Sequence, residues 1–398
     1  MKTLIQQLIT INSISGQEQT ISDFVFSWLK EETQIKAIKI GNGNIVLCIE
    51  GRNRNQALIF NAHLDTVGPG NISDWEYQPY GLGSGVIKNG KVYGLGSSDE
   101  KSGVVVLMFL LKKLIKKKPP VDIWLTFVVN EEIDGAGTKN VMKYFDKQGM
   151  FKQYKSIAGI ICEPTGLSEI QIAHKGNVFI KLAVRGDAGH GSEPEKIKLQ
   201  AIKSLMEAID KVEKLGEKWS KIYHDKLLGK PTMSLTSFQA GDVSCPNSFP
   251  SLAEATFDIR TIPQMHQLVM KSIKKIIEKT GAEVYNVGEP APAGYTDRND
   301  PLVKASKLVC PKAKITVTNG STDQCFFSQR SIPAIIFGPG EDELAHKPNE
   351  FCYLNKIGSC VGIYNKLITQ WANCKVSDTL QLKMKHNNGS PVRAVAII

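Results

Sequence analysis

The sequence predicts an α/β fold: a mainly parallel central sheet flanked by helices, with a smaller α+β unit inserted into it. Three observations carry this prediction. Short apolar runs at residues 57–61, 121–129, 157–162 and 334–337 each stop abruptly at polar, glycine-bearing loops, as buried strands do. A helical pattern at 102–118 separates the first two runs, so strand and helix alternate as they do around a parallel sheet. The middle third changes character between two such stretches, and 398 residues suffice for two or three domains at roughly 150 residues each.

Taken in order, the run at 57–61 passes directly into Asn61-Ala62-His63-Leu64-Asp65. The helix at 102–118 is apolar over 104–111 and then carries Lys112, Lys113, Lys116, Lys117 and Lys118 before Pro119-Pro120. Cations at that end complement the helix dipole. After the strands at 121–129 and 157–162, the inserted unit reads as a strand at 177–185, an amphipathic helix at 198–219, strands at 232–238 and 252–259, and a helix at 267–280. Alternation resumes through the strand at 334–337 to a last helix at 357–371. The predicted organisation is a large domain in two parts, 1–175 and 290–374, an insertion at 176–289, and an unassigned tail at 375–398.

Hydrophobic residues make up 42% and charged residues 22%, which excludes disordered, collagenous and coiled-coil chains. The apolar run at 104–111 is far short of the roughly 20 residues of a membrane span. The amino terminus breaks its apolar stretch at Gln6 and Gln7, unlike a secretion signal, and the expectation is a cytoplasmic protein with no membrane partner. Eight cysteines without a C-x-x-C pair read as free thiols in a reducing compartment. The balance of 49 basic and 39 acidic residues, +10, suits nucleic acid or a small anionic ligand. No aromatic residues interleave with the lysine runs as base-stacking surfaces would, so no nucleic-acid partner is expected.

The chemistry lies in where His, Asp and Glu fall. His63 and Asp65 sit two apart at a strand end, where extended backbone puts both on one face, so His63 offers a metal ligand and Asp65 an orienting partner. Asp99 follows a glycine turn and precedes the apolar helix, a position that also suits a helix cap. Glu131 and Glu132 end the strand at 121–129, Glu163 follows the strand at 157–162, and His346 follows the strand at 334–337. Singly, each is commonly structural. Together they bring two imidazoles and three carboxylates to the carboxyl ends of strands in one sheet, where such sheets bind ligands. That is the inventory of a two-metal site, one carboxylate bridging ions about 3.5–4 Å apart. Nitrogen and oxygen donors suit zinc, cobalt or manganese. Glu131 is then left over as general base.

These motifs, in this order, resemble the co-catalytic zinc metallopeptidase and deacylase family that includes acetylornithine deacetylase, succinyl-diaminopimelate desuccinylase, aminoacylase and the glutamate carboxypeptidases. The resemblance covers about residues 1–371. It implies two divalent metal ions, zinc foremost, held by His63, Asp99 as the bridge, Glu132, Glu163 and His346, with Glu131 as the base. It implies a ferredoxin-like lid that also forms a homodimer. There Gly189-His190-Gly191-Ser192 matches the histidine that steadies the oxyanion in a neighbouring subunit, Asn247 a lid asparagine near the substrate, and Arg260 a lid arginine that holds a substrate carboxylate. On the bare sequence His190 also reads as a turn residue and Arg260 as a partner of Asp258. Lys175 reads as structural, and Gly320-Ser321-Thr322-Asp323 fits the family without a definite role. Leu95 and Ser102 depart from the family's turn, but no ligand position is lost.

The expected activity is metal-dependent hydrolysis of N-acyl amino acids. Glu rather than Asp at 163 resembles the deacylases and carboxypeptidases. The alternatives are a dipeptidase or carboxypeptidase acting on short peptides and, from another class, a non-catalytic binding protein for nucleic acid or an acidic partner.

Overall fold

The computed structural model describes residues 1–374, so the tail expected at 375–398 lies outside the described residues. A nine-stranded mixed sheet carries the site. At its centre four strands run parallel in the order Val121–Val128, Asn53–His63, Ser156–Ile161 and Ala334–Ile336. These contain the four apolar runs of the sequence. Along Asn53–His63, Leu58, Phe60 and Ala62 enter one hydrophobic core, while Ala57 and Ile59 enter a second core on the opposite face. Burial on both faces is why this strand reads as a continuous apolar run instead of an alternating one.

The flanks of the sheet depart from the parallel pattern. Asn44–Ile49 pairs antiparallel with Val121–Val128, and Glu169–His174 pairs antiparallel with Ala334–Ile336. Beyond Asn44–Ile49 the edge strand Ala37–Ile40, only partly buried, lacks the long apolar run by which sequence periodicity reveals a strand. Register fixes the functional end: His63 lies opposite Val128, and Ile161 lies opposite both Asn61 and Ile336. The loops bearing Glu131, Glu163 and Gly338 therefore leave the sheet at one edge, beside His63.

The helix Lys101–Leu114 is buried around nearly its whole circumference, packed against Leu354–Ala372 and Lys2–Thr10. It stops at Leu114, short of the predicted 118, and Lys112 reaches Glu32 at 2.6 Å. In the middle third, four antiparallel strands run in the order Thr232–Ala240, Leu252–Thr261, Gly176–Arg185, Glu283–Asn286. The helices Ala201–Ile222 and Val269–Ile277 pack against this sheet, giving the β-α-β-β-α-β succession of a ferredoxin-like unit. The second helix is shorter than the predicted 267–280 because His266–Leu268 forms a 3-10 turn. Val178, Ile180, Leu182 and Val184 are buried against those helices, and strand alternation turns Phe179 to the other face. Among the described residues no helix is long and apolar enough to cross a membrane, and all eight cysteines are free.

The position of the 101–114 helix makes a stability prediction. Leu107 is 0% exposed and Leu82 is 99% exposed. Leu107→Ala should lower unfolding free energy by about 2–5 kcal/mol, and Leu82→Ala by less than about 0.5 kcal/mol. Urea denaturation of the two variants checks this, and equal midpoints would contradict the buried helix.

Candidate metal centre

His63 is the last residue of its strand and only 1% exposed. Its Nδ1 lies 3.0 Å from the main-chain oxygen of Asp65, which can only accept, so Nδ1 carries a proton and Nε2 is the atom a metal would take. That Nε2 faces Asp99 Oδ1 at 3.0 Å and Glu163 Oε1 at 3.7 Å. On the other side of Asp99, Oδ2 lies 3.5 Å from His346 Nε2, which is also 3.0 Å from Glu132 Oε2. One carboxylate thus stands between two imidazoles, each with a further carboxylate beside it.

Ligand atoms of His63, Asp99 and Glu132 all lie within 4.8 Å of one another, as do those of His63, Glu131 and Glu163. Glu131, expected as the base, is thus also within ligating distance. The donor set fits divalent metal. Glu132 Oε1 is buried without a hydrogen-bond partner among the described residues, and the acids outnumber the cations that face them. Burial, then the charges of neighbouring acids, raises the carboxyls of Glu131, Glu132 and Glu163. Burial opposes ionisation of Asp99 too, but its hydrogen bonds to His346 and His63 hold its carboxyl below the usual range. Hydrogen bonds to Asp99 and Glu132 push His346 up to about 10.

Asp65 does something the sequence did not predict. Its carboxylate is 3.5 Å from His63 Nδ1, farther than its own carbonyl, so orientation of that ring falls chiefly to main chain. The carboxylate instead accepts from the N–H groups of Glu131 and Glu132, each at 3.1 Å, and from Ser15 Oγ at 2.8 Å. It caps the short helix Glu131–Asp134 and so positions both glutamates. Glu100, unassigned from the sequence, is buried and accepts from the main-chain N–H of His63. Asp323, also without an assigned role, accepts from Asn61 Nδ2 at 2.8 Å and Thr138 Oγ1 at 2.5 Å. Burial raises its carboxyl to about 6.

A cleft of about 220 Å³ brings Glu131, Glu132, His346 and Asp323 together with Asn177, Phe179 and Arg260 of the four-stranded sheet. Arg260 meets both of its predicted surroundings: it lines this cleft and pairs with Asp258 at 2.8 Å. His190 and Asn247 lie elsewhere. They are exposed, 3.5 Å apart, with His190 Nδ1 2.6 Å from Ser192 Oγ, and within one chain neither lines the cleft. Asn247 is therefore seated beside His190, and within one chain both lie away from the cleft. Lys175 is largely buried, as a structural residue would be. A larger cavity of about 260 Å³ lies at the amino ends of the parallel strands, lined by Phe151, Tyr154, Arg330 and Trp371, and among the described residues it holds none of the ligand groupings found at the carboxyl ends.

These shifts set the pH response of the metal-free protein. The folded pKa of Glu131, Glu132 and Glu163 lies above the unfolded value, so their contribution is complete below about 4.3 and is lost as pH rises from there through the folded values. His63 and His346 are likewise raised, so their contribution is complete below about 6.5 and disappears as pH rises through the folded values. Asp65 and Asp99 are lowered, and their contribution is lost only on acidification below about 3.9. The Tm of chelated protein should therefore fall between pH 5.5 and pH 8.5, and zinc or cobalt should flatten the slope. A metal-free Tm that climbs over this range would contradict the assignment.

The peptidase family M20/M25/M40 model matches residues 59–370. An uncharacterised metallohydrolase of Methanocaldococcus jannaschii is 30% identical over 365 residues, covering 85% of this chain and 87% of the relative. The acetylornithine deacetylase of Aliivibrio salmonicida is 26% identical over 386 residues, covering 92% and 97%. Among solved structures, an M20 family metallo-carboxypeptidase from Sulfolobus solfataricus aligns with a TM-score of 0.76 at 21% identity, covering 94% of this chain and 99% of that one. With the family model spanning the strands, loops and lid that frame the cleft, the chain belongs to peptidase family M20/M25/M40, a family of metallohydrolases that act on amide bonds.

Proposed function

We propose that this protein is a dinuclear metal-dependent amidohydrolase that cleaves N-acyl amino acids to a carboxylate and a free amino acid. The observation that carries this reading is Asp99 between His63 and His346, with Glu163 and Glu132 beside them and Glu131 at the same cleft as Arg260. His63 and Glu163 would hold one ion, His346 and Glu132 the other, and Asp99 both. Zinc is the proposed metal. Divalent ions bound there would polarise the scissile carbonyl and lower the pKa of water.

Glu131 takes a proton from the attacking water on its carboxylate and delivers it to the leaving nitrogen as the C–N bond breaks. Its raised proton affinity suits that transfer. Arg260 anchors the substrate's carboxylate. We assign residues 176–289 to a lid through which two copies pair, with His190 of one lid steadying the oxyanion in its neighbour. The resemblance to acetylornithine deacetylase, which extends over 92% of the chain, supports an acylated amino acid as substrate. A cytoplasmic setting fits free cysteines.

Chelated protein reconstituted with zinc or cobalt should release free amino acid from one class of N-acetyl or N-succinyl amino acids. Turnover of dipeptides alone would replace this reading with a peptidase. Glu131→Gln should reduce kcat by at least about 100-fold while leaving metal content intact. Loss of metal instead would make Glu131 a ligand, and retained activity would remove it from the reaction. Amidating the substrate's α-carboxylate should depress kcat/KM in the wild type and matter little in Arg260→Ala. An unchanged wild-type value would refute the carboxylate anchor.

A further inference from the structure

Glu350 ends the segment that carries His346, and it is a buried acid, 1% exposed, without a salt bridge among the described residues. Such a charge needs compensating hydrogen bonds. It finds them in a single turn: Oε2 accepts from the N–H of Gly96 at 2.9 Å, and Oε1 from those of Ser98 at 2.6 Å and Asp99 at 2.9 Å. Its carbonyl also accepts from Gly94 N–H at 3.0 Å. A second clamp closes the other end of the loop, where Ser98 Oγ donates to Glu341 O at 3.0 Å and accepts from Glu341 N–H at 2.6 Å. His346 lies between the clamps.

We infer that Glu350 is a positioning residue of the metal centre: by clasping three main-chain N–H groups of the 96–99 turn, it sets the place of Asp99 and holds it in register with His346. The inference rests on the dinuclear reading above. The turn has little freedom to relax around a lost clasp. Gly96 sits at φ +78°, where a Cβ would come within 2.7 Å of Thr66 and 3.1 Å of Lys101, and a Cβ on Gly340 would stand 2.1 Å from Ser98 O. The Lys101 ammonium is engaged elsewhere, donating to Ile11 O at 2.8 Å. Glu350→Gln keeps the shape but points an NH2 group at amides that can only donate, so at least one loses its acceptor.

Calorimetric titration of chelated protein with zinc, together with far-ultraviolet circular dichroism, tests this without any substrate. Wild type should bind two equivalents. Glu350→Gln should keep the wild-type spectrum while one binding step weakens roughly 10–100-fold. The control is Asn349→Gly, which removes hydrogen bonds from the same loop to Glu76 N–H and Asp74 O, suits the φ of +62° at that position and leaves the clasp intact, and it should bind as wild type. Wild-type affinity in folded Glu350→Gln, or equal weakening in Asn349→Gly, would overturn the inference. If Glu350→Gln does not fold, Glu350→Asp, one methylene shorter, is judged by the same criterion. Failure of both to fold would make Glu350 a fold element and likewise overturn the inference. A wild type that binds no metal would instead refute the dinuclear reading.

Discussion

Buried carboxylates of like charge repel one another, yet this protein gathers Asp99, Glu131, Glu132 and Glu163 around two imidazoles. Side chains alone would move apart, so the main chain beneath them has to be fixed. Other acids do the fixing. Asp65 grips the N–H groups of Glu131 and Glu132, Glu350 those of the turn bearing Asp99, and Glu100 that of His63. Asp65 and Glu350 are satisfied by those amides and the Ser15 hydroxyl and so leave the cluster's own oxygens directed at the shared centre, while Glu100 Oε2 has no partner among the described residues. A network of this kind becomes costly when one member is missing, because a buried donor or acceptor then has no partner.

The large sheet supplies what those grips act upon. Parallel strands buried on both faces cannot shift register by one residue without turning Leu58, Phe60 and Ala62 into the wrong core. The ends of the strands are therefore as well defined as their interiors, and His63, Glu131 and Glu163 inherit that definition. The buried network of Asn61, Thr126, Thr138 and Asp323 extends it one layer lower, tying two central strands to the helix Ala136–Lys147 and to the loop at Asp323.

Much of this was legible in the sequence because doubly buried strands leave uninterrupted apolar runs and their polar exits stand out. His63, Asp99, Glu132, Glu163 and His346 could be nominated from that pattern, and the structure gathers them. What could not be read were bonds between a side chain and distant main chain. Asp65 grips amides 66 and 67 residues away, and Glu350 grips amides more than 250 residues away. Amide donors carry no sequence signature, so Asp65 appeared only as a partner for its neighbour His63. The edge strand Ala37–Ile40 escaped notice for a related reason: pairing with one neighbour and partial exposure leave a short, mixed pattern. His190 and Asn247 were nominated by resemblance alone, and one chain seats them together but away from the cleft.

Arg260 shows how two competing readings of one residue can both hold. Asp258, two positions earlier on the same strand, presents its carboxylate on the same face, and Arg260 Nε and Nη2 meet its Oδ2 at 3.2 and 3.0 Å. The guanidinium also lies over the Phe179 ring at 5.5 Å. An arginine free to rotate would lose side-chain entropy on meeting a ligand, whereas one already held has less to lose. Asp258 occupies the Nε–Nη2 edge, and among the described residues no carboxylate meets the terminal Nη1–Nη2 edge of the fork. A planar anion entering the cleft can be met there by two parallel N–H groups. The ion pair within the strand and the proposed grip on substrate are thus successive uses of one fork: the first fixes the side chain, and the second relies on its being fixed.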